Sequence, residues 1–322
     1  MAIRPPAGVF RIIRPRSRFS AAVTTMPSPA LLFHLFADLL TPGVQARVAE
    51  PQLSMDDPDA AAAFHDAGRS DGLLAASYLY HAIQASAQIP PAARVLDLGC
   101  GPANQLAVIA DICADARFTG IDASPAMLEL AATTLERCGR NNVALHAGRM
   151  EALEGFADAS FDAVISTVSL HHLPDCASLH ACMRSVRRVL RAGGGLYLAD
   201  FGRLSRQRTQ HFFAHERSAV QPPLFTADYY NSLRAAFSLA EWRAAARHVG
   251  NGVRIERSFL VPFMVVLRTH PGYAVDCARR QRAAELWQAL SRARQRDLRD
   301  LARFLGHGGY ALAYPPWRPQ HR

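Results

Sequence analysis

A carboxylate and two glycines follow an apolar run in the stretch ARVLDLGCGPANQLAVIA, residues 93–110. Asp97 stands at the end of the run, and Gly99 and Gly101 come directly after it. Glycines there allow a tight turn and let the backbone approach a ligand, because they carry no Cβ. A second carboxylate, Asp122, ends the next apolar run and suits bidentate hydrogen bonding to ribose hydroxyls. These residues predict a site for a ribose-containing cofactor.

The spacing of the glycines narrows the choice of cofactor. A dinucleotide site has the pattern G-x-G-x-x-G, whose free amides bind pyrophosphate. Here Asn104 occupies the third glycine position, and Pro102 removes an amide. Asp97 would repel a phosphate but not a sulfonium. The pattern therefore favours S-adenosylmethionine over NAD, and a nucleotide-dependent oxidoreductase remains an alternative that NAD binding would test.

The elements that must position these residues alternate along the chain. Amphipathic helices separate short apolar runs that are typical of strands covered on both faces. The predicted strands are 95–99, 118–123, 143–148, 161–167, 196–201, 254–259 and 262–268. The pattern predicts an α/β fold, a Rossmann-like, doubly wound, seven-stranded and mostly parallel sheet with helices on both faces. Ser124 is the predicted N-cap of one helix, and three glycines at 193–195 are predicted to end another.

Helical extensions are expected at both ends of this sheet domain. We predict a disordered or non-native segment at 1–28, N-terminal helices over 29–90, and a C-terminal helical tail over 270–322 with one helix at 274–305. The sheet domain itself spans 91–269, with a lid-like insertion at 203–240. The first 37 residues contain no acid and include five arginines between Arg4 and Arg18. A transit peptide, a disordered tail and a true start at Met26 all fit that pattern, and we favour the last two.

Composition excludes several classes of protein. The formal charge is +9, but all 36 basic residues are arginine, which indicates codon bias rather than a nucleic-acid partner. The six cysteines form no C-x-x-C pair, so neither a disulfide framework nor a metal site is predicted, and reduced thiols favour a cytoplasmic protein. The longest apolar run, 259–267, contains a proline and is too short to span a bilayer.

Four segments together resemble the successive motifs of class I S-adenosylmethionine-dependent methyltransferases. They are VLDLGCGPA, GIDASPAML, FDAVISTVSLHHL and VLRAGGGLYLADF, at 95–103, 120–128, 161–173 and 189–201. The sequence is most similar to the type 11 group that includes the quinone-biosynthesis C-methyltransferases, over residues 60–269. The resemblance implies an enzyme of class EC 2.1.1 that methylates a small molecule.

The resemblance also implies which residues bind the cofactor. They are Asp97, Gly99, Cys100, Gly101, Asp122, Ala123, Met127, Arg149, Met150, Glu151 and Ser166. The chain departs from the group at Arg149, which replaces an aspartate expected to meet the adenine amino group. The backbone of Met150 or the side chain of Glu151 could supply that contact instead.

The methyl acceptor is less well specified. His171 and His172 follow the fourth strand and are candidate general bases, with helix capping as the alternative role. Asp200 ends the fifth strand and is interpreted as a capping or structural residue. Aromatic residues in the 203–240 segment favour an apolar or aromatic acceptor. A cofactor-binding partner protein without activity remains an alternative, and the arginine-rich tail could form a homodimer.

Overall fold

The computed structural model describes residues 28–51, 72–250, 252–269 and 272–318. Its seven strands form one sheet in the order β3-β2-β1-β4-β5-β7-β6. The strands are β1 (Arg94–Leu98), β2 (Arg117–Asp122), β3 (Val143–Ala147), β4 (Phe161–Thr167), β5 (Leu190–Phe201), β6 (Val253–Arg257) and β7 (Met264–Thr269). Strands β1 to β5 are paired in parallel, and β7 runs antiparallel to both β5 and β6. The predicted seven-stranded, mostly parallel sheet is confirmed.

Helices cover both faces of this sheet. They are α1 (Pro29–Leu39), α2 (Ala75–Ser86), α3 (Asn104–Ile112), α4 (Pro125–Arg137), α5 (Cys176–Val189), α6 (Gln207–His215), α7 (Pro223–Ala235), α8 (Leu239–Ala246), α9 (Cys277–Ala289) and α10 (Arg292–Gly306). One core contains residues of α2, α3, α9 and α10, and a second contains residues of α5 and α8. The central strands are buried between these layers, which explains their near-continuous apolar sequences.

The register of the strands brings the predicted site residues to one edge. Asp97 on β1 pairs with Gly120 on β2 and Ile165 on β4, close to the carboxyl end of all three strands. Asp122 ends β2, and Asp200 is the penultimate residue of β5. The carboxyl edge of a doubly wound sheet is where ligands bind.

The glycines at 193–195 correct one prediction. They do not lie in a loop after a helix, because α5 ends at Val189 and β5 begins immediately at Leu190. A Cβ on Gly195 would lie 1.7 Å from the carbonyl oxygen of Gln88, and a Cβ on Gly194 would lie 2.9 Å from that of Asp162. Glycine is therefore used here for close approach of neighbouring backbones inside an extended strand.

The C-terminal tail differs from the single helix that was predicted. It contains two helices, α9 and α10, separated at Leu290–Ser291. The Ser291 side chain accepts a hydrogen bond from the Arg294 amide and so caps a new helix. Leu298 and Leu305 of α10 are buried against the sheet domain. The helical extensions at both ends of the sheet are confirmed.

The N-terminal helices are only partly described. Helix α1 begins after Ser28, whose side chain accepts from the Leu31 amide. Residues 1–27 lie outside the described residues, as does 52–71, the part of the predicted N-terminal helices in which AAAAFHDAG (60–68) is a helical pattern and Ser70 or Asp71 a candidate cap. Helix α2 begins at Ala75. In the part of the chain that the structure describes, every helix is too short or too polar to cross a bilayer. All six cysteines are free.

Candidate active site

The turn after β1 requires its glycines. Gly99 and Gly101 have φ angles of +64° and +51°, in the left-handed region that disfavours a side chain. A Cβ on Gly99 would lie 2.7 Å from the Cβ of Ser169 and 3.2 Å from the Cε of Met150. A Cβ on Gly101 would meet no atom within 4 Å. The first glycine therefore allows close packing with the turn after β4, whereas the second leaves open space for a ligand.

Asp122 locks this turn from the neighbouring strand. Its Oδ2 accepts from the Gly101 amide and its Oδ1 from the Ser124 amide, both at 2.9 Å. Ser124 in turn accepts from the Met127 amide and caps α4, as predicted. The Gly101 amide therefore already donates to a carboxylate, and Pro102 has no amide hydrogen. Two amides of this loop are therefore not offered to a pyrophosphate, and the carboxylate fits a cationic cofactor with ribose hydroxyls.

Asp97 lies behind this turn and is 5% exposed. Burial, and secondarily the charge of Asp122, raise the pKa of Asp97 well above its usual range. A positively charged ligand nearby would favour the ionised carboxylate. Burial and the two aspartates also raise the pKa of the Cys100 thiol, so this cysteine is not an activated nucleophile.

One cavity of about 690 Å³ opens beside the turn. Most of the predicted cofactor residues line it, namely Gly99, Cys100, Gly101, Asp122, Ala123, Met127, Arg149, Met150 and Glu151. Asp97 and Ser166 lie in the wall behind that lining. The Ser166 hydroxyl is fully buried and donates to the Leu98 carbonyl at 3.0 Å, so it ties β4 to β1.

The arginine that departs from the family pattern has a local partner. The Arg149 side chain is 67% exposed and forms an ion pair with Glu151. Glu151 is therefore engaged by the arginine that precedes it, while its carbonyl accepts from the Ser185 hydroxyl. The Met150 side chain reaches Gly99 and lies beside the cavity.

The opposite end of the cavity contains the two predicted histidines. Both lie in the one-turn 3-10 helix Leu170–His172 after β4. Asp200 accepts from the His171 amide at 2.9 Å and from the ring Nδ1 at 2.7 Å. The aspartate that was interpreted as structural thus orients His171 directly, because its two oxygens hold both the backbone and the ring.

The two histidines differ in their electrostatics. Burial alone would lower the pKa of His171, but the carboxylates of Asp200, Glu50 and Asp228 outweigh it and raise that pKa. Burial and the neighbouring His171 lower the pKa of His172 well below its ordinary value. His172 is thus neutral near pH 7, and the two rings lie 4.3 Å apart between centroids.

Two acidic residues at this end were missed by sequence analysis. Glu50 comes from the segment after α1, and Asp228 comes from α7. Glu50 is 8% exposed and its Oε1 lies 4.0 Å from His171 Nε2. Arg47 positions this segment by donating to the His171 and Ala235 carbonyls at 2.8 and 2.6 Å. No local motif marks Glu50, since its neighbours come from distant parts of the chain.

The remaining walls of the cavity come from helices outside the sheet. The 203–240 segment forms α6 and α7, and α7 contributes Phe225, Asp228 and Tyr229 to the lining. Helix α2 contributes Ala76 and α10 contributes Leu301. The cavity therefore joins the glycine turn, the histidine pair and three flanking helices.

Comparison with known proteins identifies the domain. Residues 95–194 match a family described as "Methyltransferase domain". The chain contains a class I S-adenosylmethionine-dependent methyltransferase domain. The matched residues include the glycine turn, Asp122 and the histidine pair. Asp200 and Glu50 lie outside the match.

Two curated relatives share this methyltransferase domain. The 27-O-demethylrifamycin SV methyltransferase of Amycolatopsis mediterranei is 39% identical over 34% of this chain and 38% of its own length. The ubiquinone biosynthesis O-methyltransferase of Paracidovorax citrulli is 32% identical over 34% of this chain and 44% of its own length. The chain therefore matches less than half the length of either relative.

A solved structure shows the same fold as the methyltransferase domain and its surroundings. It is a putative S-adenosyl-L-methionine-dependent methyltransferase from Methanococcus maripaludis, with a TM-score of 0.50 and 17% identity. The likeness covers 72% of this chain and 98% of that chain. At this identity the comparison supports the fold of the sheet domain alone.

Proposed function

We propose that this protein transfers the methyl group of S-adenosylmethionine to a hydroxyl oxygen of a small apolar or aromatic molecule. One observation carries the proposal. A single cavity joins the Asp122-locked glycine turn at one end to the His171 and His172 pair at the other. A cofactor bound at the turn and an acceptor bound at the histidines would meet inside that cavity.

The chain's own residues divide the work of binding the cofactor. Asp122 accepts the Gly101 and Ser124 amides and lines the cavity beside the turn, where a carboxylate suits ribose hydroxyls. A positively charged methionine end bound beside the turn would favour the ionised form of Asp97, and Gly101 leaves room there. Met127 and Ala123 offer an apolar surface for the adenine, with Arg149, Met150 and Glu151 at its edge. The bound cofactor supplies an activated sulfonium methyl group.

The acceptor end combines an aromatic wall with the histidine pair and polar side chains of α7, Asp228 and Ser232. Its lining includes Phe201, Phe225, Tyr229, Phe263 and Met264. Aromatic walls with a few convergent polar groups are typical of sites for small molecules. The 203–240 segment supplies part of this wall and would act as a lid. The names of both curated relatives specify an oxygen as the atom that is methylated. This favours oxygen over carbon as the acceptor atom here.

The chemical step needs alignment and the loss of one proton. The acceptor oxygen forms a bond to the methyl carbon, the carbon–sulfur bond breaks, and its electron pair returns to sulfur. The hydroxyl proton leaves before or during this displacement. Exclusion of water and in-line alignment supply most of the acceleration expected for such a reaction. The predicted role of His171 or His172 as the base that takes the proton stays a prediction.

The first experiment tests cofactor binding by thermal shift. S-adenosylhomocysteine at about 100 times its Kd should stabilise the wild type by about 2.7 kcal/mol, and NAD should not. Asp122→Ala should lose the shift. Asp162→Ala is the matched control, because Asp162 also accepts from a backbone amide, that of Arg94, but at the opposite edge of the sheet. Stabilisation by NAD alone would instead favour an oxidoreductase.

The second experiment tests methyl transfer itself. Labelled S-adenosylmethionine is incubated with a panel of phenols and aliphatic alcohols, and label in the organic phase is counted. Incorporation that Asp122→Ala abolishes supports the proposal. Cofactor binding without transfer to any member of a broad panel would favour the alternative of a non-catalytic partner protein.

We also propose a cytoplasmic location, which the free cysteines support. Homodimer formation stays a prediction.

A further inference from the structure

Two histidines and a glutamate form a cluster at the acceptor end of the cavity, in which Glu50 and His171 are buried and His172 is half-buried. Glu50, His171 and His172 each offer one ligand atom, and these atoms lie within 4.8 Å of one another. Ligands bound to one ion at about 2.1 Å are separated by about 3 to 4 Å, so only small side-chain movements would close the site. Sequence analysis predicted no metal site because it considered cysteine spacing and could not place Glu50 beside the histidines.

His171 has the orientation of a metal ligand. Its Nδ1 lies 2.7 Å from Asp200 Oδ1, and because a carboxylate only accepts, Nδ1 carries the hydrogen. In the neutral ring Nε2 then carries the lone pair that a metal ion needs. Among the described residues this buried nitrogen has no hydrogen-bond partner, and it lies 4.0 Å from Glu50 Oε1. Histidines that bind metals usually donate their other nitrogen to a carboxylate in this way.

His172 and Glu50 complete the donor set. His172 Nδ1 is also buried without a hydrogen-bond partner in the described ranges. Glu50 Oε1 accepts from the Ser232 hydroxyl at 3.0 Å, which fixes the carboxylate near the rings. A buried polar atom without a partner is unfavourable. Two such nitrogens beside a buried carboxylate indicate that a ligand normally satisfies them.

We propose that Glu50, His171 Nε2 and His172 bind a divalent first-row transition ion such as Zn²⁺ or Mn²⁺. Imidazole and carboxylate donors suit such ions. The histidines line the cavity, so the remaining coordination positions face the acceptor. The role of the ion rests on the function proposed above. The ion would bind the acceptor hydroxyl and lower the pKa of that hydroxyl. The proton leaves to solvent, and the oxygen then attacks the methyl carbon while the electrons of the carbon–sulfur bond return to sulfur.

Metal binding is tested on the full chain, purified without a histidine tag and stripped with a chelator. Co²⁺ is titrated in while its visible absorption is recorded, and Zn²⁺ is then added to displace it. The proposal expects one equivalent of Co²⁺ with an absorption band that Zn²⁺ abolishes. Metal content after dialysis, measured by mass spectrometry, gives the stoichiometry independently. Neither readout requires an acceptor or an active enzyme.

Variants assign the site. Glu50→Gln and His171→Gln should each weaken binding by more than about 100-fold, and Asp200→Asn by about 10- to 100-fold, because Asp200 orients a ligand. His211→Gln with His215→Gln is the matched control. This pair lies on α6 with ring centroids 3.8 Å apart, and it is a plausible adventitious site. The control variant should bind Co²⁺ as the wild type does.

The outcomes separate this inference from the proposed function. Retention of S-adenosylhomocysteine binding shows that each variant folds. Absence of Co²⁺ binding by the wild type, or binding that Glu50→Gln leaves intact, overturns the metal site. Methyl transfer at an unchanged rate after metal removal would overturn its role in the reaction and favour His171 as a direct base. Absence of cofactor binding by the wild type would overturn the proposed function, but the Co²⁺ titration would still show whether the metal site exists.

Discussion

The two glycines of the turn after β1 should have separable roles, one in packing and one in binding. Gly99→Ala places a methyl group 2.7 Å from the Ser169 Cβ, whereas Gly101→Ala places one in open space beside the cavity. Gly139 provides a matched control. It has a φ of +63°, its Cβ would meet no atom within 4 Å, and it lies after α4 rather than in the lining of the cavity.

The expected magnitudes follow from these contacts. A left-handed alanine costs about 1 to 2 kcal/mol relative to glycine, partly offset by about 0.4 to 1 kcal/mol from a less flexible unfolded chain. Gly139→Ala and Gly101→Ala should therefore lower the free energy of unfolding by about 1 kcal/mol each. Gly99→Ala adds about 1 to 3 kcal/mol of overpacking against Ser169. Its total loss should be about 2 to 4 kcal/mol.

The assay combines urea unfolding without ligand and calorimetric titration with S-adenosylhomocysteine. Gly101→Ala should weaken the Kd by at least about 10-fold, which is about 1.4 kcal/mol, and Gly139→Ala should leave it unchanged. Equal affinities for Gly101→Ala and Gly139→Ala would refute the assignment of the open space to the cofactor. A Gly99→Ala protein as stable as Gly139→Ala would refute the packing argument.

Two further predictions concern buried charged or titratable groups. Burial lowers the pKa of His81 from 6.5 to about 4, so stability is complete above pH 6.5 and is lost as pH falls towards 4. His81 should contribute a fall of about 2 kcal/mol in the free energy of unfolding between pH 6.5 and 5, so the fall measured by urea unfolding at each pH should be smaller by about that amount in His81→Gln than in the wild type. Arg279 is 3% exposed and binds Asp115 and the Ile89 carbonyl, so Arg279→Ala should destabilise by about 1 to 3 kcal/mol, because it leaves a buried carbonyl without its partner. Arg303, whose side chain is 55% exposed, should be replaceable by alanine with little change in the same assay.

The sheet was predictable because local sequence determines most of it. Each central parallel strand is buried on both faces and therefore appears as a short apolar run. The start of β5 was not predictable, since three glycines normally signal a turn. Gly195 lies within β5 instead because the Gln88 backbone occupies the place where a Cβ on Gly195 would be. The break in the tail was missed for a related reason, because Ser291 continues a helical pattern unless its capping bond to Arg294 is known.

The cofactor end is built from neighbouring strands and their turns, whereas the acceptor end is built from segments that are far apart in the sequence. Gly99, Gly101 and Asp122 belong to adjacent parallel strands and their turns, so their meeting follows from the fold class. Glu50 is held at the cluster by contacts between distant segments, since Arg47 donates to carbonyls of the turn after β4 and of the end of α7, and Ser232 donates to Glu50 itself. Neither residue type nor spacing encodes that contact in advance.

This difference bears on how the acceptor end works. Glu50, His171 and Asp228 come from three separate segments, which are the N-terminal segment, the turn after β4 and α7. Arg47 links all three, since it donates to the carbonyls of His171 and Ala235 while Val48 donates to Arg234. A movement of α7 that admits an acceptor would therefore also disturb Glu50. Arg47, Val48 and the hydrogen bond between Ser232 and Glu50 therefore tie the histidine cluster to α7, whereas Asp122 holds the cofactor turn from β2.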